Sequence, residues 1–241
     1  YNEKVKTGLL DILLVNKNTN LNYQIEKNSL DFKSNDRHET YDGHIDFKPF
    51  YLSLNFNYDG LSTKELLNDD SIIFDVLKSE LLNNDNLNAI VNLKVKDIVD
   101  IDELNSLILK LIIEEGMIGF SDSSLMWKDD LKITLNESYL TFDNGEIKLI
   151  GNVILNFKDI NNFYKSFQIK KNNKKKIKKV EIDFVYNLTH YEINFDNAKI
   201  DGTSNSNLEK YINNFNLSKN RIFNKITFKN FINKFFDAYS G

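Results

Sequence analysis

Between Lys132 and Phe157 two runs of alternating residues meet at Asp143-Asn144-Gly145. In the second run Ile147, Leu149, Val153, Leu155 and Phe157 share one phase, and Lys148, Asn152 and Asn156 share the other. That is the period of two of a half-buried strand. Asn-Gly between such runs predicts a type I′ hairpin, because both residues tolerate positive φ. The same alternation occurs upstream. Leu21, Tyr23 and Ile25 alternate with Asn22, Gln24 and Glu26, and a loop at Asp42-Gly43 is expected to lead into the next run. There Phe50, Leu52, Leu54, Phe56 and Tyr58 alternate with Tyr51, Ser53, Asn55 and Asn57. Pro49 stands at its entrance, where a missing N–H costs the ladder least, and Asp59-Gly60 at its exit. Leu87, Ala89, Val91, Leu93 and Val95 make a further apolar face.

Elsewhere the period lengthens. Ser62-Thr63-Lys64-Glu65 has capping-box spacing, and Leu66, Ile73, Leu77 and Leu81 predict a helix through residue 82. A second helix is predicted from Ile101 to Glu115, with Leu104, Leu107, Ile108, Leu111 and Ile112 inward and Gly116 to end it. Strands are expected again at 117–120, 124–127, 131–142, 146–158, 163–169, 179–188, 191–195 and 198–200. In the 179–188 segment Val180, Ile182, Phe184 and Tyr186 alternate with Glu181, Asp183 and Asn187. A short helix at 206–215 opens on a second capping box, Ser206 to Glu209, and Phe228 to Tyr239 reads as an amphipathic helix with Phe231, Ile232, Phe235 and Phe236 inward. No repeat of fixed period and no linker rich in Pro, Gly and Ser divides the chain. The expected fold is α+β and sheet-dominated: one domain over residues 1–241, a large, curved, groove-like antiparallel sheet with a few helices laid against it.

Composition adds little to this picture. Eighteen Phe and eleven Tyr suit pleated, half-buried surfaces. A formal net charge of -4 gives no general attraction to nucleic acid. The chain has no cysteine, which excludes disulfides and thiolate chemistry. It contains no unbroken apolar run of membrane-spanning length and begins at Tyr1, so it is expected to be part of a longer protein whose targeting signal or anchor precedes it.

Candidate chemistry is sparse. His38, His44 and His190 form no metal-ligand pair on a helix; His38 and His44 can meet across a turn but read as surface residues. Nucleophile elbows, phosphate loops and dinucleotide glycine patterns are missing. The adjacent acids Asp69-Asp70, Glu114-Glu115 and Asp129-Asp130 read as solvated turn and helix-end positions. Trp127 is expected in the core near Met117 and Met126. Seven lysines, Lys170, Lys171, Lys174, Lys175, Lys176, Lys178 and Lys179, cluster between two predicted strands. They read first as a solvated hairpin loop whose charge discourages edge pairing. The alternative is contact with anionic headgroups, for which Lys174, Lys175, Lys176 and Lys178 are the candidates.

From Ile98 onward the order of features resembles the C-terminal region of the AsmA-like proteins of Gram-negative bacterial envelopes. The stretches that carry the resemblance are LKLIIEEGMIGFSDSSLMWKDDLKITLNESYLTFDNGEIKLIGNVILNF, FYKSFQI, the basic turn, IKKVEIDFVYNLTHYEINFDNAKIDG and FKNFINKFFDAYSG. The resemblance implies a non-enzymatic periplasmic protein, anchored in the inner membrane through a segment outside this chain, that guides phospholipids along a concave apolar sheet during outer-membrane biogenesis. It implies no catalytic residue, and as partners phospholipid acyl chains and other envelope proteins; no cofactor is expected, and no nucleic-acid partner, since the other strands show no spread of basic residues over one face. The groove candidates are Val91, Leu93 and Val95; Ile147, Leu149, Val153, Leu155 and Phe157; and Val180, Ile182, Phe184 and Tyr186. The alternative is a periplasmic or extracellular binding module with a closed core, its sheet covered by the helices at 62–82, 101–115 and 228–239, that recognises a protein or glycan through its loops. A hydrolase with acids and histidines converging from separate strands ranks third.

Overall fold

The computed structural model describes residues 5–14, 17–37, 39–62, 84–143, 145–190, 192–218 and 225–240. The fold is α+β and dominated by strands. The chain divides into two compact units, Tyr1–Ser123 and Ser124–Gly241. Among the described residues no helix is long and apolar enough to cross a membrane.

The first unit is built from β1 (Lys6–Leu14), β2 (Lys17–Ile25), β3 (Ser29–Ser34), β4 (Glu39–Phe47), β5 (Phe50–Leu61), β6 (Asn88–Ile98), β7 (Leu104–Glu114) and β8 (Met117–Phe120), paired in that order. Every pair is antiparallel except β5 with β6, so this sheet is mixed rather than purely antiparallel. A parallel pair needs a connection of a dozen or more residues, and the sequence between Leu61 and Asn88 is longer than that. The helix predicted at 62–82 lies, apart from Ser62, outside the described residues.

Three expectations are overturned in this unit. Residues 101–115 are not a helix: Leu104–Glu114 is β7, with Leu107, Leu109 and Ile113 opposite Val95, Leu93 and Ala89 of β6. A strand that is apolar on both phases contains i, i+3 and i+4 spacings by default and so imitates a helical stripe. The β-branched Ile108, Ile112 and Ile113 favour the extended form. Asp42-Gly43 is not a loop but the middle of β4, facing Asn55 and Leu54. β5 runs on through Asp59-Gly60 to Leu61, because Gly60 and Leu61 pair with Asp97 and Ile98.

The second unit holds most of β9 (Ser123–Trp127), then β10 (Leu131–Asp143), β11 (Glu146–Phe157), β12 (Lys179–Asn187) and β13 (Glu192–Ile200), the last four pairing in that order. Two short strands, β14 (Thr203–Ser204) and β15 (Asn216–Ser218), pair with β13. The predicted hairpin pairing is present: Asp143 opposes Glu146, and Gly145 has φ 77; Asn144 lies outside the described residues. Among the described residues three helices, α1 (Ile160–Phe167), α2 (Ser206–Asn213) and α3 (Lys225–Ser240), accompany these strands.

Here too the sequence expectation needs amendment. Residues 163–169 are not a strand, since Phe163 to Phe167 belong to α1. Asp159 caps that helix by accepting the Asn161 N–H, and Ile160, Phe163, Tyr164 and Phe167 bury one face at helical spacing. The lysines therefore do not sit in a hairpin turn. Residues 191–195 and 198–200 were expected as two strands, but Glu192–Ile200 is one, with a register irregularity around Asn197, at φ 47. α2 is capped by the Asn205 side chain rather than by Ser206, with bonds of 3.0 Å from the Asn207 and Leu208 N–H groups.

The core of this unit lies between the helices and one sheet face. Leu131, Val180, Ile182 and Ile200 meet Phe163, Tyr164, Leu208, Ile212, Phe235 and Phe236. Trp127 packs on this cluster, its ring 5.4 Å from that of Phe167. Met117, expected beside it, is instead 68% exposed.

Candidate functional site

Strand register carries one apolar phase across the whole first unit. Leu10 of β1 faces Leu21 of β2; Tyr23 and Ile25 face Phe32 and Leu30 of β3. Leu30 and Phe32 face Ile45 and Gly43 of β4, which with Tyr41 face Leu52, Leu54 and Phe56 of β5. Residues directly opposite on paired strands project to the same side, so these side chains form one continuous surface. The series continues through Leu54 to Val91, Phe56 to Leu93 and Tyr58 to Val95, and from there to Leu111, Leu109 and Leu107.

Part of this surface is hollowed into a trough of about 520 Å3, whose lining includes Leu10, Leu21, Ile25, Phe32, Leu54 and Phe56. Every residue that lines it is aliphatic or aromatic, and the only polar atoms among those side chains are the hydroxyls of Tyr23 and Tyr41. The Tyr41 hydroxyl is engaged with Glu39 Oε2 at 2.9 Å, and burial above all raises its pKa. Leu10 and Ile25 remain 48% and 36% exposed at the rim, whereas Leu21 and Tyr41 are buried in the floor.

Two close approaches shape the floor. A Cβ at Gly43 would collide with the Phe32 ring, and a Cβ at Gly8 with the Tyr23 ring. The two rings therefore lie over cross-strand glycines.

The opposite phase of the same strands is polar. Asn92 Nδ2 donates to Asn55 Oδ1 at 2.9 Å, Asn55 Nδ2 to Asp42 Oδ2 at 2.8 Å and Asn57 Nδ2 to Thr40 Oγ1 at 2.9 Å. His44 lies between two carboxylates, Nδ1 2.7 Å from Asp31 and Nε2 3.1 Å from Asp46. The hydrogen bond to Asp31, supported by the one to Asp46, raises the imidazole pKa above its ordinary value. A depression of about 830 Å3 on this face is lined by residues that include Asn22, Asp31, Asp42, His44, Ser53 and Asn55.

The structure separates the predicted groove residues. Val91, Leu93 and Val95 belong to the apolar surface of the first unit, with Val91 and Leu93 half-buried and Val95 buried. Those of the second unit do not form an open groove. Ile182 is part of the core beneath the helices, and Val153, Leu155 and Phe157 pack against that core. Phe184 is buried outside it, and Leu149 and Tyr186 are half-buried opposite each other. Of the flanking candidates, Ile147 and Val180 are buried. The physical reason is α1: expected as a strand, it is a helix that sets Phe163 against Phe157, ring centroids 5.3 Å apart.

Sequence reasoning missed Leu10, Ile12, Leu30, Phe32 and Tyr41 as trough residues. The available signal was the alternation of Leu21, Tyr23 and Ile25 with its counterpart in β5, which imply a shared apolar face.

Neither known protein families, nor curated proteins, nor solved structures provide a match to this chain. The resemblance to AsmA-like proteins gains no support from them. Among the described residues no group of three or more His, Asp or Glu side chains is placed to hold a metal ion. His190 Nε2 lies 3.0 Å from Glu146, which also meets Lys148 Nζ at 2.6 Å, while His38 and Asp69-Asp70 fall outside the described residues. The lysine candidates Lys174, Lys175, Lys176 and Lys178 are exposed in the second unit, between the 3-10 turn Lys171–Asn173 and β12.

Proposed function

We propose that this chain is a non-enzymatic lipid-handling protein whose first-unit sheet holds acyl chains in its apolar trough. The observation that carries the proposal is the lining: side chains from five successive strands converge on a hollow with almost no hydrogen-bonding capacity. Such a surface discriminates by hydrophobicity alone. Each methylene buried there contributes about 0.8 kcal/mol, so ten contribute about 8 kcal/mol before the cost of association. The volume of about 520 Å3 also falls within the roughly 300–1,000 Å3 of small-molecule sites.

On this proposal the protein acts in the bacterial envelope in the manner of the AsmA-like proteins, periplasmic and anchored through a segment outside this chain, with phospholipid as cargo. The pattern of the second half supports this extension, and the trough supplies the apolar surface that the extension needs.

Extraction and mass spectrometry of lipid from the purified chain tests the proposal, alongside the double variant Leu10→Asp/Ile25→Asp. Both positions are rim residues, so the variant keeps its fold, which circular dichroism verifies. Phospholipid or fatty acid in stoichiometric amount on the native chain and its loss from the variant is the expected result. A native chain that stays lipid-free after incubation with phospholipid vesicles would sink the proposal.

A second reading is a binding module for a polar ligand such as a glycan, favoured by the Asn, Asp and His side chains around the depression on the opposite face. It predicts glycan-array binding that Asn55→Ala weakens and Leu10→Asp leaves intact.

A further inference from the structure

The lysine-rich stretch follows α1 in the second unit and is fastened at both ends and in the middle. Gln168 leaves the helix in a left-handed conformation at φ 55, and Ile169 and Ile177 bury their side chains on either side of Lys170 to Lys176. Between them the 3-10 turn closes through Asn173 N–H to Lys170 O at 3.0 Å and Lys174 N–H to Lys171 O at 3.3 Å. The buried Tyr164 hydroxyl donates to Lys175 O at 2.7 Å and accepts from Lys175 N at 3.3 Å. Asp201 Oδ1 accepts the N–H groups of Lys178 and Lys179 at 3.0 and 2.8 Å. From α3, Ser240 Oγ donates to Asn173 O at 3.3 Å, and Asp237 accepts from the Asn173 amide.

The side chains are treated differently from the backbone. Lys170 reaches Asp237 at 3.6 Å and Lys179 reaches Glu181 at 2.7 Å. The other five, Lys171, Lys174, Lys175, Lys176 and Lys178, are exposed, and among the described residues none has an acidic partner. Five unneutralised cations on one fixed segment, in a chain of net charge -4, repel one another in the free protein. An anionic surface relieves that repulsion.

We propose that Lys171, Lys174, Lys175, Lys176 and Lys178 form a docking platform for an anionic lipid bilayer. The chemistry of the cluster selects the partner. It contains no arginine, so it lacks the planar fork that recognises individual phosphates bidentately. The nearest aromatic residues before it, Phe163, Tyr164 and Phe167, are buried and offer no face on which bases could stack. What remains is a set of compact point charges, which suits the diffuse negative field of a headgroup layer. The platform is independent of the acyl-chain trough and stands or falls separately.

Flotation of the full chain with vesicles tests it. Binding is expected to mixed phosphatidylcholine and phosphatidylglycerol vesicles, to be weak on phosphatidylcholine alone, and to fall as salt shortens the screening length. Each Lys→Gln change should weaken partitioning about fivefold. The quintuple Lys→Arg variant should bind, and the quintuple Lys→Gln variant should not, with circular dichroism showing both folded. Equal binding to neutral vesicles, or undiminished binding by a folded quintuple Gln variant, would overturn the proposal. So would tighter binding to an oligonucleotide than to the mixed vesicles, which would make the partner a nucleic acid. Leu10→Asp/Ile25→Asp should still float with anionic vesicles, and the quintuple Gln variant should still carry extracted lipid, so failure of one site is distinguishable from failure of the other.

Discussion

Gly43 shows how one missing side chain sets the depth of the trough. The Phe32 ring occupies the space where its Cβ would stand, and Leu54 closes on the same point from β5. Gly43→Val would have to displace a ring that itself lines the hollow. Overpacking of this kind costs about 1–3 kcal/mol, so the urea midpoint should fall while the slope is unchanged, and lipid capacity should fall with it. On the polar face His44 makes a prediction of opposite character. Both its ring nitrogens face carboxylates, which raises its folded pKa above the ordinary histidine value. A raised folded pKa means that the stabilisation is complete below the unfolded value of about 6.5 and is lost as pH rises through the folded one. His44 is 38% exposed, so the effect is small, but NMR titration reads the pKa itself. It should lie above the ordinary value and drop in Asp31→Asn. A His44→Gln variant should lose stability relative to the native chain only on the acid side.

At the scale of elements, what the sequence made legible follows from how unambiguous each period was. The β10–β11 hairpin was legible because its alternation is long and its Asn-Gly turn permits few conformations. β7 was not, because apolar residues on both phases satisfy a helical and an extended template alike, and pairing with β6 decides between them. α1 was missed because it spans eight residues, too few for its Ile160, Phe163, Tyr164 and Phe167 stripe to outweigh the aromatic, strand-like composition. That one element moved the candidate site, since its Phe163 sits against Phe157 and Val153 and Leu155 pack on the core that the helices share. The trough was half legible: β2 and β5 showed their apolar phases, but only register brings Leu10, Phe32 and Tyr41 beside them. The helical layer is testable through Phe236, which α3 buries against the rings of Phe163, Tyr164 and Phe235. Phe236→Ala should cost about 3–5 kcal/mol, against about 0.5 kcal/mol or less for Leu10→Ala at the exposed rim. Trp127, in contact with Phe167, provides the fluorescence signal for the second unit in denaturant titrations of Phe236→Ala. Hydrogen exchange follows the first unit for Leu10→Ala.

For the whole molecule, the two units differ in what covers their apolar faces. In the second, α1, α2 and α3 share a core with part of one sheet face. In the first, the described elements are all strands, and Leu10 and Ile25 stand exposed beside buried Leu21 and Tyr41. A ligand that binds only the folded trough stabilises the unit that carries it by mass action, about 2.7 kcal/mol at a hundredfold excess over the dissociation constant. The helix-covered part of the second unit gains nothing, because its own side chains already occupy that core. Hydrogen exchange with and without phospholipid should therefore show amides of β2 through β5 slowed by up to about a hundredfold in the loaded chain. Amides of β11 through β13 should be unchanged. Equal protection in both units, or protection confined to β11 through β13, would place the lipid elsewhere and remove the trough as its site. The Gly43→Val variant sharpens the outcome: its β2 through β5 amides should exchange at the same rate whether or not lipid is present, because the ring displaced by the new side chain fills the space an acyl chain would take.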